Sequence, residues 1–340
     1  MAAKLIIVLF DGTWNEPEFE VEGQYPQGDS TNVEKLRYLL LQDHEQKVLY
    51  SEGVGTDGIK PIAVGEQPTT FGLKSTKFVE KPIKVKDGAF GISAQQKVDD
   101  AYKAISADYS PGDQLAIFGF SRGAATARLL TRQIHKSGIN GNQVMVEFLG
   151  LWDTVAALGV PLPDIQSFRK QYHDAEDRLR IPSNVKSVVH LVSIDETRAL
   201  FAPTLVTRDS NQTKVDEIWF AGNHGDVGGG WVKASPSEAQ LSDITLDFMI
   251  RRSQSEVSSI KFASNWQSHL NVPKDGGGMV HDVGRFTATN VLGGKYVREL
   301  SSTGHQKARI HRSVSDKFAS DATYRPAALG SGLASFEIVD

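Results

Sequence analysis

The sequence predicts an α/β fold in which a mostly parallel central sheet carries helices on both faces, with loop insertions between the elements. Short apolar runs such as residues 5–10 and 115–118 alternate with helical patterns, and strands of this kind are buried on both faces of a parallel sheet. The 340 residues are 40% hydrophobic, enough for one large core. We therefore expect a single domain over 1–340, with a core at about 4–262 and a C-terminal extension at 263–340 packed on it.

One strand leads into the most informative motif of the chain. The apolar run 115–118 is followed by Gly-Phe-Ser-Arg-Gly at 119–123 and then by an alanine-rich helical segment. A Gly-x-Ser-x-Gly sequence between a strand and a helix is typical of a nucleophile elbow, a turn so tight that only small residues fit two positions before and after the serine. The unpaired N–H groups at the start of the helix would face any oxyanion formed there. Ser121 is therefore the candidate nucleophile.

A histidine that accepts the serine proton should follow, because the chain order in this class of hydrolase is serine, acid, histidine. Among nine histidines, His224 is the best candidate. It follows the apolar strand 217–221 and lies in the glycine-dense segment 222–230, where the backbone can turn sharply and present a side chain. His190 lies inside an apolar strand, where we expect a satisfied core imidazole.

Two aspartates at the carboxyl ends of apolar strands compete for the role of the acid. Strand order favours Asp195, although Arg198 could make it a loop anchor instead. Asp153 lies in a largely uncharged segment, which is where a carboxylate that holds an imidazolium would be kept. Asp226 is expected to order its own loop by an Asx-type hydrogen bond. The residues alone leave Asp153 and Asp195 open.

The N-terminal strand is expected to complete an oxyanion hole. In hydrolases with this elbow, one donor is the N–H of the residue after the nucleophile, here Arg122, and the other comes from the loop of an adjacent strand. The apolar strand at 5–10 ends in Asp-Gly-Thr, so we expect N–H groups near Gly12 and Thr13 to be the second donor. Asp11 would either anchor that loop or bind a cation.

The segment 54–94 interrupts the alternation of strands and helices. It is rich in Gly, Pro and Lys and ends in a glycine-flanked apolar patch. It is either an ordinary connection with an insertion or a lid over the site. In the second case Phe78, Phe90 and Ile92 are the side chains that would contact the substrate.

Composition excludes several classes of function. A net charge of −4 with dispersed Lys and Arg gives no electrostatic case for nucleic acid. The absence of cysteine excludes disulfides and thiolate metal sites, and we predict neither a metal site nor a cofactor. No stretch approaches the roughly 20 apolar residues that span a bilayer, and no signal peptide is visible. We expect the protein to be cytoplasmic as made.

Five motifs stand in the order found in the DUF2235 α/β-hydrolases, the family that includes the Tle1-type phospholipase effectors of type VI secretion. The motifs lie at 10–15, 119–124, 149–155, 193–196 and 219–229, and the resemblance covers roughly residues 4–250. It implies an α/β-hydrolase fold and a Ser–Asp–His hydrolase that acts on ester bonds, often of glycerophospholipids. It also implies Ser121 as nucleophile and His224 as base, and it matches Asp153 rather than Asp195 to the acid position.

The expected function is therefore cleavage of carboxylic esters through an acyl-enzyme, by a lipase or phospholipase of the type VI effector kind. A soluble small-molecule esterase and a non-catalytic module that binds or senses a ligand are the alternatives. The expected substrate is an ester or a phospholipid. The resemblance implies a secretion-apparatus component or an immunity protein as partner, and delivery into a target cell without a signal peptide.

Overall fold

The structure, a computed structural model, describes residues 3–12, 30–53, 59–61, 89–156, 176–231, 238–282, 296–330 and 332–340. The strands are β1 (Leu5–Phe10), β2 (Gln46–Ser51), β3 (Ile59–Pro61), β4 (Gln114–Phe120), β5 (Val146–Trp152), β6 (Val185–Ser193), β7 (Lys214–Phe220), β8 (Arg309–His311) and β9 (Glu337–Val339). The helices are α1 (Asn32–Leu39), α2 (Ala89–Asp108), α3 (Arg122–Ser137), α4 (His224–Gly228), α5 (Leu241–Glu256) and α6 (Arg312–Ser320).

The strands form one sheet in the order β3-β2-β1-β4-β5-β6-β7-β8-β9. Every neighbouring pair is parallel except β2 and β3, which are antiparallel. The prediction of a mostly parallel sheet is confirmed. From β1 the chain adds β2 on one side and β4 on the other, so the strand order reverses between β1 and β4. The carboxyl ends of the strands at such a switch point are where open α/β sheets bind their ligands.

The sheet is covered on both faces, as the sequence predicts. Alternate residues of β1 point to opposite sides: Leu5, Ile7 and Leu9 pack in one apolar cluster with α1 and α5. The intervening Ile6, Val8 and Phe10 pack in another with α2 and α3. All six side chains of β1 are buried, which explains why this strand is a continuous apolar run rather than an alternating one.

The C-terminal segment extends the same sheet. Strand β8 pairs with β7 and β9 pairs with β8, and α6 packs with them in a third apolar cluster that includes Trp219. The indole Nε1 of Trp219 donates a hydrogen bond to the carbonyl of Ser301 at 2.6 Å. Among the described helices none is long and apolar enough to cross a membrane.

The elbow between β4 and α3 depends on two glycines. A Cβ on Gly119 would lie 2.6 Å from the carbonyl oxygen of Gly123, and a Cβ on Gly123 would lie 2.3 Å from the carbonyl oxygen of Phe10. Real side chains do not approach backbone so closely. The absence of side chains at these two positions lets α3 start directly against the end of β1, which puts the elbow at the switch point of the sheet.

The substitution Gly123→Ala should therefore lower the free energy of unfolding by about 3 kcal/mol or more, the upper end for overpacking, because the carbonyl groups of β1 cannot rotate away. Gly141→Ala is the matched control. Its added Cβ would meet nothing within 4 Å, so the only strain comes from the positive φ of 80°. This strain should lower the free energy of unfolding by about 1–2 kcal/mol. Urea unfolding measures both, and equal losses in the two variants would contradict the close packing of α3 on β1.

Candidate active site

Ser121 lies at the turn between β4 and α3 in a strained backbone conformation. Its φ is 57° and its ψ is −123°, a region in which non-glycine residues cost about 1–3 kcal/mol and persist only where the surroundings fix them. Three hydrogen bonds do so: Ser121 N–H donates to Trp152 O at 3.0 Å, and Ser121 O accepts from Ala125 N–H and Val155 N–H, both at 3.3 Å. Ser121 is mostly buried, with 7% of its surface exposed.

The structure brings Asp153 and His224 together. Asp153 directly follows β5, with a φ of 38°, and His224 is the first residue of α4. The Nδ1 atom of His224 lies 2.6 Å from Asp153 Oδ2. Both side chains are buried, so this is a charge-assisted hydrogen bond away from bulk water.

Four further donors surround the Asp153 carboxylate. Ser193 N–H donates to Oδ1 at 3.0 Å and Ser193 Oγ donates to Oδ2 at 3.3 Å. The Arg298 guanidinium donates from Nη1 to Oδ1 at 2.6 Å and from Nη2 to Oδ2 at 3.0 Å. Burial alone would raise the pKa of Asp153, but the Arg298 charge and the His224 hydrogen bond hold that pKa far below its ordinary value. Asp153 is therefore an anion throughout the physiological range.

The imidazole of His224 lies between two aromatic rings. The ring of Phe120 is 4.6 Å away between centroids, and the ring of Phe201 meets it edge-on at 5.0 Å. Burial lowers the pKa of His224, although Asp153 opposes that shift. At neutral pH the imidazole is therefore mostly uncharged, which is the form that can accept a proton.

The loop that presents His224 is built by its neighbours. Asn223 caps α4, with Oδ1 accepting from Gly225 N–H at 2.9 Å and from Asp226 N–H at 3.2 Å. The Asp226 carboxylate accepts in return from Asn223 N–H at 2.9 Å, so it orders its own loop. A Cβ on Gly228 would lie 1.9 Å from the ring of Phe120. The glycine is needed so that this ring can reach the imidazole.

Asp226 also ties the loop to the C-terminal segment. Its Oδ1 atom lies 2.5 Å from His281 Nδ1, and its Oδ2 atom accepts from His281 N–H at 3.0 Å. The His281 ring stacks on Trp231 with 4.5 Å between centroids. These contacts attach the histidine loop to the segment that contains His281.

Asp195, the alternative acid, contacts a backbone amide and a tyrosine hydroxyl. Its Oδ2 atom accepts from Gly222 N–H at 2.6 Å and from the Tyr324 hydroxyl at 3.0 Å. Burial raises the pKa of Asp195 to about 6. Arg198 does not pair with it as the sequence suggested, because Glu196 accepts from the Arg198 guanidinium at 2.7 Å and 2.8 Å. The carboxylate of Asp195 anchors the start of the histidine loop.

The Gly12 amide, one of the two expected second oxyanion donors, already has an acceptor in the structure. Gly12 N–H donates to Asp11 Oδ1 at 2.6 Å, so a carboxylate occupies the hydrogen bond that an oxyanion would need. Asp11 Oδ2 also accepts from the Thr31 hydroxyl at 2.9 Å and from the Tyr50 hydroxyl at 2.7 Å, which fits an anchoring role for Asp11. Thr13 lies outside the described residues.

Other parts of the predicted site stay predictions. Arg122 N–H is at the first position of α3, where helical amides have no intrahelical acceptor, and burial lowers the pKa of its side chain to about 10. Phe78 lies outside the described residues. Phe90 and Ile92 belong to the first turns of α2, but their side chains are also outside the description. Among the described residues, no group of three or more metal-ligating side chains is found.

Sequence reasoning missed Arg298. It lies beyond the five motifs, between Val297 and Glu299, with no periodic pattern or recognisable motif around it. A buried carboxylate implies a nearby donor, but nothing in the sequence tells which of 37 Lys and Arg residues supplies it.

The sheet, the crossover helices and the elbow define the class: this is a protein with an α/β-hydrolase-like fold. Residues 4–145 and 140–252 match the family described as the type VI secretion system phospholipase effector Tle1-like catalytic domain, and the chain belongs to that family. The resemblance seen in the sequence motifs is confirmed.

Similar proteins are found in bacteria and yeast. A crystal structure of an uncharacterized protein from Pseudomonas aeruginosa is 22% identical, covers 80% of this chain and 49% of its own, and superimposes with a TM-score of 0.52. A Tle1 effector bound to the VgrG spike is 22% identical over 69% of this chain and 52% of its own, with a TM-score of 0.43. An uncharacterized protein of Saccharomyces cerevisiae is 26% identical over 59% of this chain and 32% of its own length. The chain thus spans about half the length of these solved relatives and about a third of the yeast relative.

The raised pKa of Asp195 predicts a pH-dependent stability. Between its ordinary value of 3.8 and its folded value of about 6, the folded protein binds more protons than the unfolded chain. The contribution of Asp195 to the free energy of unfolding is therefore complete at a pH below its ordinary pKa of 3.8. It is lost as the pH rises through its folded pKa of about 6. Asp195→Asn stays neutral, so its free energy of unfolding relative to wild type should increase between about pH 4 and about pH 8. Denaturant titrations at both pH values measure this, and a constant difference would contradict it.

Proposed function

We propose that the protein hydrolyses carboxylic ester bonds through an acyl-enzyme on Ser121, with phospholipids as its substrate class. The observation that carries the chemistry is the 2.6 Å hydrogen bond between Asp153 and His224, made on the loops that follow β5 and β7, on the same side of the sheet as the strained elbow after β4. Membership of the Tle1-like phospholipase family supports the substrate class.

The acylation step uses each of these side chains. The bond from His224 Nδ1–H to Asp153 leaves Nε2 as the nitrogen with a free lone pair. That nitrogen takes the proton of the Ser121 hydroxyl while Oγ forms a bond to the ester carbonyl carbon, and the carbonyl π electrons move to oxygen. When the tetrahedral intermediate collapses, the alcohol leaves with the proton returned by His224.

Water completes the cycle. His224 takes a proton from a water molecule, the hydroxide attacks the acyl carbon, and Ser121 leaves with the proton, which releases the carboxylic acid. Asp153 remains ionised throughout and stabilises the imidazolium that forms twice per turnover. The amides at the start of α3, including Arg122 N–H, hold the oxyanion in both halves of the reaction.

Family membership also supports a setting for this activity. The Tle1-like family is one of type VI secretion effectors, so we propose that the protein acts after delivery into a target cell. A component of the secretion apparatus and an immunity protein are the corresponding partners.

The nucleophile is tested by Ser121→Ala. This variant should lose hydrolysis of both a short-chain aryl ester and glycerophospholipid vesicles, by about 10⁶-fold, while a phosphonate probe that labels wild type at Ser121 should leave it unlabelled. Ser137→Ala, at the other end of the same helix, is the control. If wild type hydrolyses the aryl ester but not the vesicles, the result would favour a soluble esterase. If wild type hydrolyses neither substrate and is not labelled by the probe, the result would favour a non-catalytic module.

The acid is tested by comparing two aspartates. Asp153→Asn should reduce turnover by about 10⁴-fold, because the imidazole loses control of its tautomer and the imidazolium loses its partner. Asp195→Asn should retain most of the turnover, since that carboxylate contacts Gly222 and Tyr324. Steady-state kinetics on the soluble ester measure both variants. A deep loss confined to Asp195→Asn would reverse the assignment.

A further inference from the structure

Arg298 is a fully buried arginine in the C-terminal segment. Its guanidinium makes four hydrogen bonds, to Asp153 Oδ1 at 2.6 Å, Asp153 Oδ2 at 3.0 Å, Ser193 O at 2.8 Å and Phe201 O at 2.6 Å. Its side chain and that of Asp153 are both 0% exposed. The residues that match the family, 4–252, contain Ser121, Asp153 and His224 but not this arginine.

The two bonds to Asp153 are bidentate, one guanidinium nitrogen to each carboxylate oxygen. This geometry fixes the plane of the carboxylate as well as its position. The guanidinium is itself fixed by the carbonyl groups of Ser193 and Phe201. Phe201 is also the residue whose ring meets the His224 imidazole edge-on. Arg298 therefore orients both the Asp153 carboxylate and Phe201, whose ring packs against the His224 imidazole.

The same contact shares the charge of the acid. An imidazolium facing a lone buried carboxylate is strongly stabilised, whereas one that faces a carboxylate already paired with a guanidinium is stabilised less. Glu196 and Arg198 also face His224, but these two pair with each other at 2.7 Å, so their charges largely cancel. Asp153, which is itself paired with Arg298, is the remaining charged group that acts on the imidazole among the described residues.

We propose that Arg298 is a positioning residue for ester hydrolysis, which fixes the Asp153 carboxylate and shares its charge so that His224 stays neutral, and able to accept a proton, at lower pH. The inference rests on the proposed function of Ser121, Asp153 and His224. A merely structural arginine would affect stability without changing the protonation of His224.

Two substitutions separate geometry from charge. Arg298→Lys keeps the charge but loses the bidentate contact with Asp153, so kcat should fall about tenfold or more while KM for the soluble ester is unchanged. Because the charge is kept, the acidic limb of the plot of kcat/KM against pH should stay in place. Arg298→Gln removes the charge, so its acidic limb should move upward by about one pH unit and its kcat should fall about 10²-fold. Arg309→Lys and Arg309→Gln are the controls, because Arg309 pairs with Asp216 at 2.6 Å in the same segment.

An NMR titration of His224 in ¹⁵N-histidine-labelled protein gives a readout that needs no activity. The midpoint for His224 should be higher in Arg298→Gln than in wild type and in the Arg309 variants. The proposal would be overturned if Arg298→Lys had the wild-type kcat. It would also be overturned if Arg298→Gln folded but changed neither the acidic limb of the plot of kcat/KM against pH nor the NMR titration midpoint of His224. If Arg298→Gln does not fold, Arg298→Lys decides: lower kcat at constant KM supports the proposal and wild-type kcat overturns it.

Failure of the proposed function has a different signature. In that case wild type itself would neither hydrolyse the ester nor react with the phosphonate probe at Ser121. The NMR midpoint of His224 would still rise in Arg298→Gln if the charge is shared as inferred.

Discussion

An ionised carboxylate inside a protein is stable only where donors replace the water that it has lost, and the architecture of this site follows from meeting that requirement at Asp153. The donors come from the end of β6, from the first residue of α4 and from the C-terminal segment. Each has to arrive at the carboxyl edge of the sheet in the correct place. The buried charge therefore fixes how three loops and the last part of the chain are arranged around the elbow.

A second set of buried polar groups supports the same edge from within the sheet. His190 Nδ1 lies 2.9 Å from Glu217 Oε2, and His190 Nε2 accepts from Thr154 N–H at 3.1 Å. Glu217 also accepts from Val206 N–H at 2.7 Å and from Thr303 N–H at 3.1 Å. His190 is thus a satisfied core imidazole, as the sequence predicts. It holds the peptide directly after Asp153, where the backbone has a positive φ.

The sequence predicts the parts of this arrangement that depend on neighbours in the chain. The elbow can be predicted because positions 119 and 123 must be glycine for a local steric reason. Strand β1 can be predicted because burial on both faces requires an unbroken apolar run. The choice between Asp153 and Asp195 could not be made from local pattern, since both follow buried strands. Arg298 could not be found at all, because its partner lies 145 residues away. The sequence predicts the Gly12 amide as an oxyanion donor and cannot show that the Asp11 side chain accepts its hydrogen bond, because no sequence pattern reveals the rotamer of Asp11.

The separation of Arg298 from Asp153 has a consequence for the order in which the protein matures. The contact between Asp153 and His224 spans 71 residues and that between Asp153 and Arg298 spans 145, so the site is closed by non-local contacts, which cost loop-closure entropy before they stabilise the fold. A chain still emerging from the ribosome has residues 119–123, Asp153 and His224 before it has Arg298. Until the C-terminal segment is made and docks, the Asp153 carboxylate lacks the guanidinium that pairs with it in the folded protein.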